Sequence, residues 1–274
     1  MNLLERILNC SEEEVNKIIT EAINEANSTA TKIGNLGFLN GQDAVSSFKG
    51  FIPLNTRIKY ANFNMEDYGM ETTDFFYEFA KFIRMYKINN KASLIFNLEY
   101  FINSYFGYPG KVDRETIFND KAWNTTGTDE EYFEALKNNK IGDLKGTGAA
   151  QCTERGALAS QILSLFGIDV YYCIGCVDLG DRQEAHCFNI VKRKGDYALL
   201  DYSVSVASYN PDGSVKAYYP FVGTLTNEEF IEFINNGIVK SFDNYYMDGS
   251  KMIPFDGKRM YVVGSYQIDK ENTM

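Results

Sequence analysis

Apolar positions recur at helical spacing through the first third of the chain. After the capping-box sequence Ser11-Glu-Glu-Glu14, apolar residues follow three or four apart. Two more stretches, 74–86 and 92–105, are rich in Phe, Ile and Leu and also indicate helices. We therefore expect residues 1–120 to form a helical N-terminal portion, with a loop from Gly34 to Gly50.

The periodicity changes beyond residue 120. A capping box at Thr128-Asp-Glu-Glu131 predicts one helix, and the apolar pattern over 149–166 predicts a longer one that ends at Gly167. Alternating positions then predict strands at 169–177, 184–192, 197–201, 215–220 and 260–268. A third box, Thr226-Asn-Glu-Glu229, predicts a short helix ending at Asn236-Gly237. With no repeat or flexible linker, this order predicts one α+β domain over 1–274, whose core at 121–274 packs helices on an antiparallel sheet.

Composition narrows the class of partner. The chain has 274 residues, is 45% hydrophobic and 23% charged, and is therefore typical of a globular protein. Its net charge of −10 disfavours nucleic acid and anionic membrane surfaces as partners. No apolar run approaches the roughly 20 residues of a spanning helix. The sequence leaves the oligomeric state open.

The N-terminus and the cysteines indicate the compartment. The first ten residues lack the basic start and the long apolar run of a signal peptide. The five cysteines are an odd number and are not spaced like a disulfide framework. We expect a cytoplasmic protein with reduced thiols, the alternative being removal of an export segment.

Histidine occurs once, at His186, which narrows the search for a catalytic site. Cys152 lies at the start of the predicted long helix, where free N–H groups and the helix dipole stabilise a thiolate. His186 lies within one predicted strand and Asp201 ends the next. An imidazole can activate the thiol, and a carboxylate can orient the imidazole. Cys152, His186 and Asp201 are therefore candidate catalytic residues.

Strand alternation predicts how two of them meet. His186 shares a strand face with Phe188, and Asp201 shares one with Leu199. If the strands are neighbours, His186 and Asp201 can lie side by side. We expect the face that carries them to be the one that meets the helix of Cys152.

Three sequence blocks resemble the transglutaminase-like superfamily. The segment Gly148-Ala-Ala-Gln-Cys-Thr-Glu-Arg-Gly is similar to its nucleophile helix. Glu184-Ala-His-Cys-Phe is similar to its His-Ala-Trp strand, and Tyr197-Ala-Leu-Leu-Asp201 to the strand that ends in its aspartate. The resemblance covers about 122–203, with Cys187 and Phe188 where the family has Ala-Trp.

This resemblance implies a papain-like fold and acyl transfer through a thioester at Cys152. The implied substrate is a peptide or protein, attacked at a peptide bond or a glutamine side chain. Hydrolysis, as in a protease, peptidase or deamidase, is expected ahead of amine transfer by a transglutaminase. The alternative is a catalytically inactive binding or scaffold protein. No cofactor is implied.

The oxyanion of such a reaction needs hydrogen-bond donors. Besides the backbone N–H of Cys152, the candidates are the indole of Trp123 and the side chain of Gln151. The resemblance carries Trp123, because transglutaminases use an upstream tryptophan in this role. The competing interpretation is a tryptophan of the core or rim.

A second pair of thiols, Cys173 and Cys176, forms a Cys-x-x-Cys sequence. In a strand these two positions face opposite sides, so convergence on a metal with His186 and Cys187 would require bulges. We expect no metal site and interpret them as structural cysteines. A redox or zinc protein remains the rival hypothesis.

Overall fold

The structure is a computed structural model that describes residues 1–37, 44–59, 68–107, 140–146, 150–178, 180, 183–203, 220–248 and 251–264. These residues form six α-helices: α1 (Leu3–Asn9), α2 (Glu12–Thr29), α3 (Thr73–Tyr86), α4 (Lys91–Phe106), α5 (Cys152–Leu165) and α6 (Asn227–Asn236). A 3₁₀ turn spans Ile141–Leu144. No helix in this described part is long and apolar enough to cross a membrane.

Eleven strands occur in the same residues. They are β1 (Asn35–Gly37), β2 (Ala44–Val45), β3 (Ser47–Lys49), β4 (Arg57–Lys59), β5 (Tyr68–Gly69), β6 (Val170–Asp178), β7 (Gln183–Lys192), β8 (Tyr197–Leu200), β9 (Phe221–Leu225), β10 (Lys240–Asp248) and β11 (Lys251–Val263).

The main sheet is antiparallel and nearly closed. Its strand order is β10-β11-β6-β7-β8-β9, and β3 also pairs with β6. The two end strands, β9 and β10, contact each other, which brings the edges of the sheet together. The chain is therefore an α+β protein with helices packed on an antiparallel sheet, as the sequence predicted.

The N-terminal portion is not only helical. Helices α2, α3 and α4 lie where the periodicity predicted them, but β1, β2, β4 and β5 form a second sheet beside them. The expectation of a loop from Gly34 to Gly50 is wrong, because β1, β2 and β3 lie within it. Strands of two or three residues carry too little alternation to be recognised from the sequence.

Helix α5 lies at the centre of the fold. Every residue from Thr153 to Leu163 is buried, because α5 packs on β6 and β7 on one side and on α2 and α4 on the other. This explains why the segment has no polar stripe, as a helix buried all round does not need one.

The sheet separates two cores. One lies between α5 and the sheet and includes Cys187 and Val191, whereas the other lies under α6 and includes Phe188, Ile190 and Phe233. Successive residues of β7 point into different cores, as strand geometry requires.

The strand predictions differ mainly at the ends of the elements. Strands β6, β7 and β8 match three predicted strands within one residue at each end. Strand β11 begins nine residues before the predicted 260–268, and β10 had no predicted counterpart. The predicted helix that begins at Thr128 lies outside the described residues, and so does the predicted strand at 215–220 except for its last residue.

Candidate active site

Cys152 is the first residue of α5. The preceding Gln151 is the N-cap, with an extended backbone, and its N–H donates to Glu154 Oε2 at 2.6 Å. This bond fixes the chain as it enters the helix. The half-buried Cys152 side chain therefore lies at a helix N-terminus, where unpaired N–H groups and the dipole favour an anion.

A buried arginine anchors this end of α5. Arg155 Nε donates to Ala150 O at 2.9 Å, Nη1 to Asn103 Oδ1 at 2.6 Å and Nη2 to Gly107 O at 2.7 Å. The guanidinium thus joins the segment before Cys152 to the end of α4. Arg155 was not a candidate from the sequence, since nothing in a linear pattern marks these partners.

His186 and Asp201 meet where β7 runs on past the end of β8. Asn189 pairs with Leu200, the last residue of β8. Asp201 therefore lies directly after the end of this strand, beside β7. The distance from His186 Nε2 to Asp201 Oδ2 is 2.7 Å. Both side chains are buried, with 5% and 1% exposure.

Asp201 accepts further hydrogen bonds. The hydroxyl of Tyr261 donates to Oδ2 at 2.8 Å, and Ser203 donates to Oδ1 through its N–H at 3.0 Å and its hydroxyl at 2.8 Å. Burial opposes ionisation, but the charge and hydrogen bond of His186 and the bonds from Ser203 hold the pKa of Asp201 well below its usual value. Asp201 is therefore a carboxylate. Neither Tyr261 nor Ser203 was a candidate from the sequence.

Cys152 and His186 stabilise each other's charged forms. The pKa of Cys152 lies well below its usual value because of a hydrogen bond from Cys187 and, against the effect of burial, the charge and hydrogen bond of His186. Burial would lower the pKa of His186, but Asp201 and Cys152 raise it well above its usual value. Since Nε2 binds Asp201, Nδ1 is the ring nitrogen left for Cys152. Both shifts favour a thiolate–imidazolium pair, backed by the Asp201 carboxylate.

Cys187 is a neighbour of Cys152 whose place beside the thiol was not predicted from the sequence. Its Sγ lies 3.6 Å from Thr153 Oγ1. Burial first, and then the adjacent Cys152, raise the pKa of Cys187 well above its usual value, so it remains a thiol that can donate to Cys152.

The face prediction for β7 is wrong. Cys187, not His186, belongs to the face on which α5 packs, and Phe188 belongs to the opposite core. His186 nevertheless interacts with Cys152, because the thiol lies at the very start of the helix and contacts both successive residues of β7. Side-chain alternation alone does not show that a helix terminus can interact with both faces.

The sequence also suggested Trp123, Cys173 and Cys176 as residues of interest. Trp123 lies outside the described residues. Cys173 is buried and Cys176 half-buried, and burial raises the pKa of both thiols. Within the described ranges, no three His, Cys, Asp or Glu side chains form a group that could hold a metal ion.

Comparison of the chain with protein-family models, with curated proteins and with solved structures finds no match in any of the three.

Proposed function

We propose that the protein is a thiol-dependent acyl-transfer enzyme with a papain-like core of the transglutaminase-like type. The observation that carries the proposal is the arrangement of Cys152, His186 and Asp201. A thiol at a helix N-terminus interacts with the only histidine of the chain, and that histidine is bound by a buried carboxylate at 2.7 Å. This is the geometry by which a nucleophile, a base and an orienting group perform acyl transfer.

The first half of the reaction forms a thioester. The Cys152 thiolate attacks the carbonyl carbon of an amide, and the C–N bond breaks while the His186 imidazolium gives its proton to the leaving amine. Asp201 keeps the ring oriented and stabilises its charge throughout. Because both pKa shifts favour the thiolate and the imidazolium before substrate binds, the mechanism needs no separate deprotonation step.

The second half regenerates the thiolate. Neutral His186 takes a proton from water, the oxygen of that water attacks the thioester carbonyl, and the C–S bond breaks to release a carboxylic acid. An amine in place of water would give transglutamination. We place water first because many members of the superfamily that this sequence resembles are hydrolases.

The developing oxyanion needs donors close to Cys152. The backbone N–H of Cys152, in the first turn of α5, has no partner within its own helix and is the first candidate. The side chain of Gln151 and the indole of Trp123 are the candidates for a second donor. The backbone N–H of Gln151 is already committed to Glu154.

Thiol reactivity tests the proposal without knowledge of the substrate. We expect iodoacetamide at pH 6 to label Cys152 much faster than any other cysteine, because this thiol has a lowered pKa and an activating histidine. His186→Ala should reduce the labelling rate to that of an ordinary thiol, with a pKa of about 8.5. Cys176→Ser is the matched control and should leave labelling of Cys152 unchanged. Preferential labelling of Cys173 or Cys176, or bound zinc, would favour the redox or metal hypothesis, and uniformly slow labelling would favour a scaffold.

Acylation tests the chemistry itself. Incubation with p-nitrophenyl acetate should give an acetyl thioester at Cys152, visible by intact mass and absent from Cys152→Ser. A denatured protein substrate then separates the acceptors by new N-termini, ammonia release or methylamine incorporation. If no acyl-enzyme forms while Cys152 is alkylated rapidly, the acyl-transfer proposal is wrong.

A further inference from the structure

Asp201 is held from a strand that is distant in sequence from the rest of the site. Its Oδ2 accepts two hydrogen bonds, from His186 Nε2 at 2.7 Å and from the hydroxyl of Tyr261 at 2.8 Å. We propose that Tyr261 is a positioning residue, whose hydroxyl fixes Asp201 and thereby the ring of His186. The proposal rests on the proposed function insofar as it concerns turnover, whereas its effect on His186 can be measured independently.

Strand β11 carries Tyr261 into the site. The side chain of Tyr261 is fully buried, and its ring meets Phe188 edge-on at 5.2 Å and Phe242 at 5.9 Å between centroids. The centroid of the His186 ring is 6.1 Å away. With the ring packed on these sides, the direction of the hydroxyl is set by the strand and not by a freely rotating side chain.

A glycine permits this approach of β11. Gly175 of β6 pairs with His186 on one side and with Val263 on the other. A Cβ at this position would lie 1.7 Å from the carbonyl oxygen of Val262, so only glycine lets β11 lie this close to β6. The distance between Tyr261 and Asp201 therefore depends on having glycine at position 175.

The direction of the hydrogen bond between Tyr261 and Asp201 follows from the chemistry of the two groups. The charge of Arg259, two residues before Tyr261 on the same face of β11, acts on the Tyr261 hydroxyl. An ionised carboxylate only accepts, so the Tyr261 hydroxyl donates its proton to Asp201 Oδ2. Burial, and then the charge of Asp201, raise the pKa of Tyr261 well above its usual value, so the phenol stays neutral and remains a donor.

Two donors on each oxygen fix the plane of the carboxylate. Ser203 supplies both donors to Oδ1, while His186 and Tyr261 share Oδ2. Without Tyr261, His186 becomes the only one of these donors on Oδ2, and rotation of the carboxylate then moves the imidazole with it. Because a misplacement of about 1 Å can cost up to roughly 100-fold in rate, this loss should appear in turnover.

Tyr261→Phe tests the hydroxyl while keeping the packed ring. The matched control is Tyr197→Phe, since Tyr197 is buried on the same face, stacks on Phe230 at 3.8 Å and makes no hydrogen bond to a described residue through its hydroxyl. We expect Tyr261→Phe to lower the rate of acetyl-thioester formation and turnover by about 10- to 100-fold, with KM little changed. The control should retain wild-type values.

The only histidine gives a direct spectroscopic probe. In ¹⁵N-labelled protein, the ring N–H signal of His186 reports its bond to Asp201 without overlap from other histidines. In Tyr261→Phe this proton should exchange faster with water, and the ring nitrogen shifts should change; a merely structural tyrosine would not move them. If the acyl-transfer proposal fails, the wild type shows no turnover, yet the His186 signals still respond to Tyr261→Phe.

A second variant covers the case in which Tyr261→Phe does not fold. Arg259→Gln leaves the ring of Tyr261 in place and removes the positive charge that makes its hydroxyl a stronger donor to Asp201. We expect the same changes in the His186 signals and in turnover, in the same direction and smaller. Wild-type His186 spectra and rates in the folded variants would overturn the proposal.

Discussion

Replacement of Asp201 by asparagine should impose the wrong tautomer on His186. The amide is nearly the same shape as the carboxylate, but only one of its two ends can accept. At Oδ1 the backbone N–H of Ser203, 3.0 Å away, cannot rotate and requires an acceptor. The amide oxygen must therefore occupy this end, which places the NH₂ group at the position of Oδ2, facing His186 Nε2 and the Tyr261 hydroxyl.

The consequence for catalysis follows from the proton count. The hydroxyl of Tyr261 can turn and accept, but His186 Nε2 can accept only if the ring proton moves to Nδ1. Nδ1 is the nitrogen that faces Cys152, and in this tautomer it can no longer take up a proton. The loss of an equivalent carboxylate in a serine protease costs about 10⁴ in turnover, or about 5.5 kcal/mol. We expect a loss of this order for Asp201→Asn.

Stability should suffer much less. His186 can release its proton, so the variant does not retain an unpaired buried charge, and the loss is about 1–3 kcal/mol of hydrogen bonding. The wild-type carboxylate, whose pKa is lowered in the fold, stabilises the protein above the unfolded-state pKa of about 3.9, and this contribution disappears as the pH falls through the folded-state pKa. Asp201→Asn should lack that acid-side decline.

The assay combines alkylation of Cys152 from pH 5 to 9 with the ¹⁵N spectrum of His186. In the variant, the midpoint of the alkylation profile should move towards that of a free thiol, and the spectrum should report a neutral ring protonated at Nδ1. Asp196→Asn is the control, because Asp196 binds Arg193 on an exposed turn away from the site. An alkylation profile and tautomer identical to the wild type would refute the reasoning.

Three further changes test neighbouring parts of the site. Cys187→Ala removes the thiol that donates to Cys152, and alkylation at pH 6 should slow by about tenfold or more, as expected for a lost hydrogen bond to a charge. Gly175→Ala should destabilise by about 3 kcal/mol, at the upper end for overpacking, in urea unfolding, because its Cβ would overlap a backbone oxygen of β11. Gly195→Ala, where no atom lies within 4 Å of the added Cβ, should stay within about 0.5 kcal/mol. Burial raises the pKa of Glu99 to about 8, so its contribution to stability is complete below about pH 4.3 and is lost as the pH rises through 8. Unfolding free energies at pH 5 and 8 should differ less in Glu99→Gln than in the wild type, and an equal difference would contradict this assignment.

Some of the site was visible in the order of residues. A single histidine in a strand pattern, a cysteine at the start of an apolar helix and an aspartate at the next strand's end are local features. Each residue type limits its own chemistry, and the period of each segment limits its conformation. Adjacent strands joined by a short turn also pair, so the meeting of His186 and Asp201 followed from their positions.

The surroundings of the triad required the tertiary structure. Tyr261 reaches Asp201 from a strand 60 residues further along the chain. Arg155 anchors α5 by donating to Asn103 near the end of α4, which lies 52 residues earlier in the chain. No periodicity encodes a hydrogen bond between such positions. The small N-terminal sheet was likewise missed because pairing, and not alternation, defines strands of two or three residues.

The sequence by itself therefore determined the α+β class, the core elements α5 to β8 and the identity of three groups with matched chemistry. Only the tertiary structure decided which face of β7 meets α5, which residues complete the hydrogen bonds of Asp201 and how the charges are distributed. The physical reason is that backbone periodicity and residue chemistry are local properties. The pKa of a buried group and the position of its partners instead depend on which distant segments the packed core brings together.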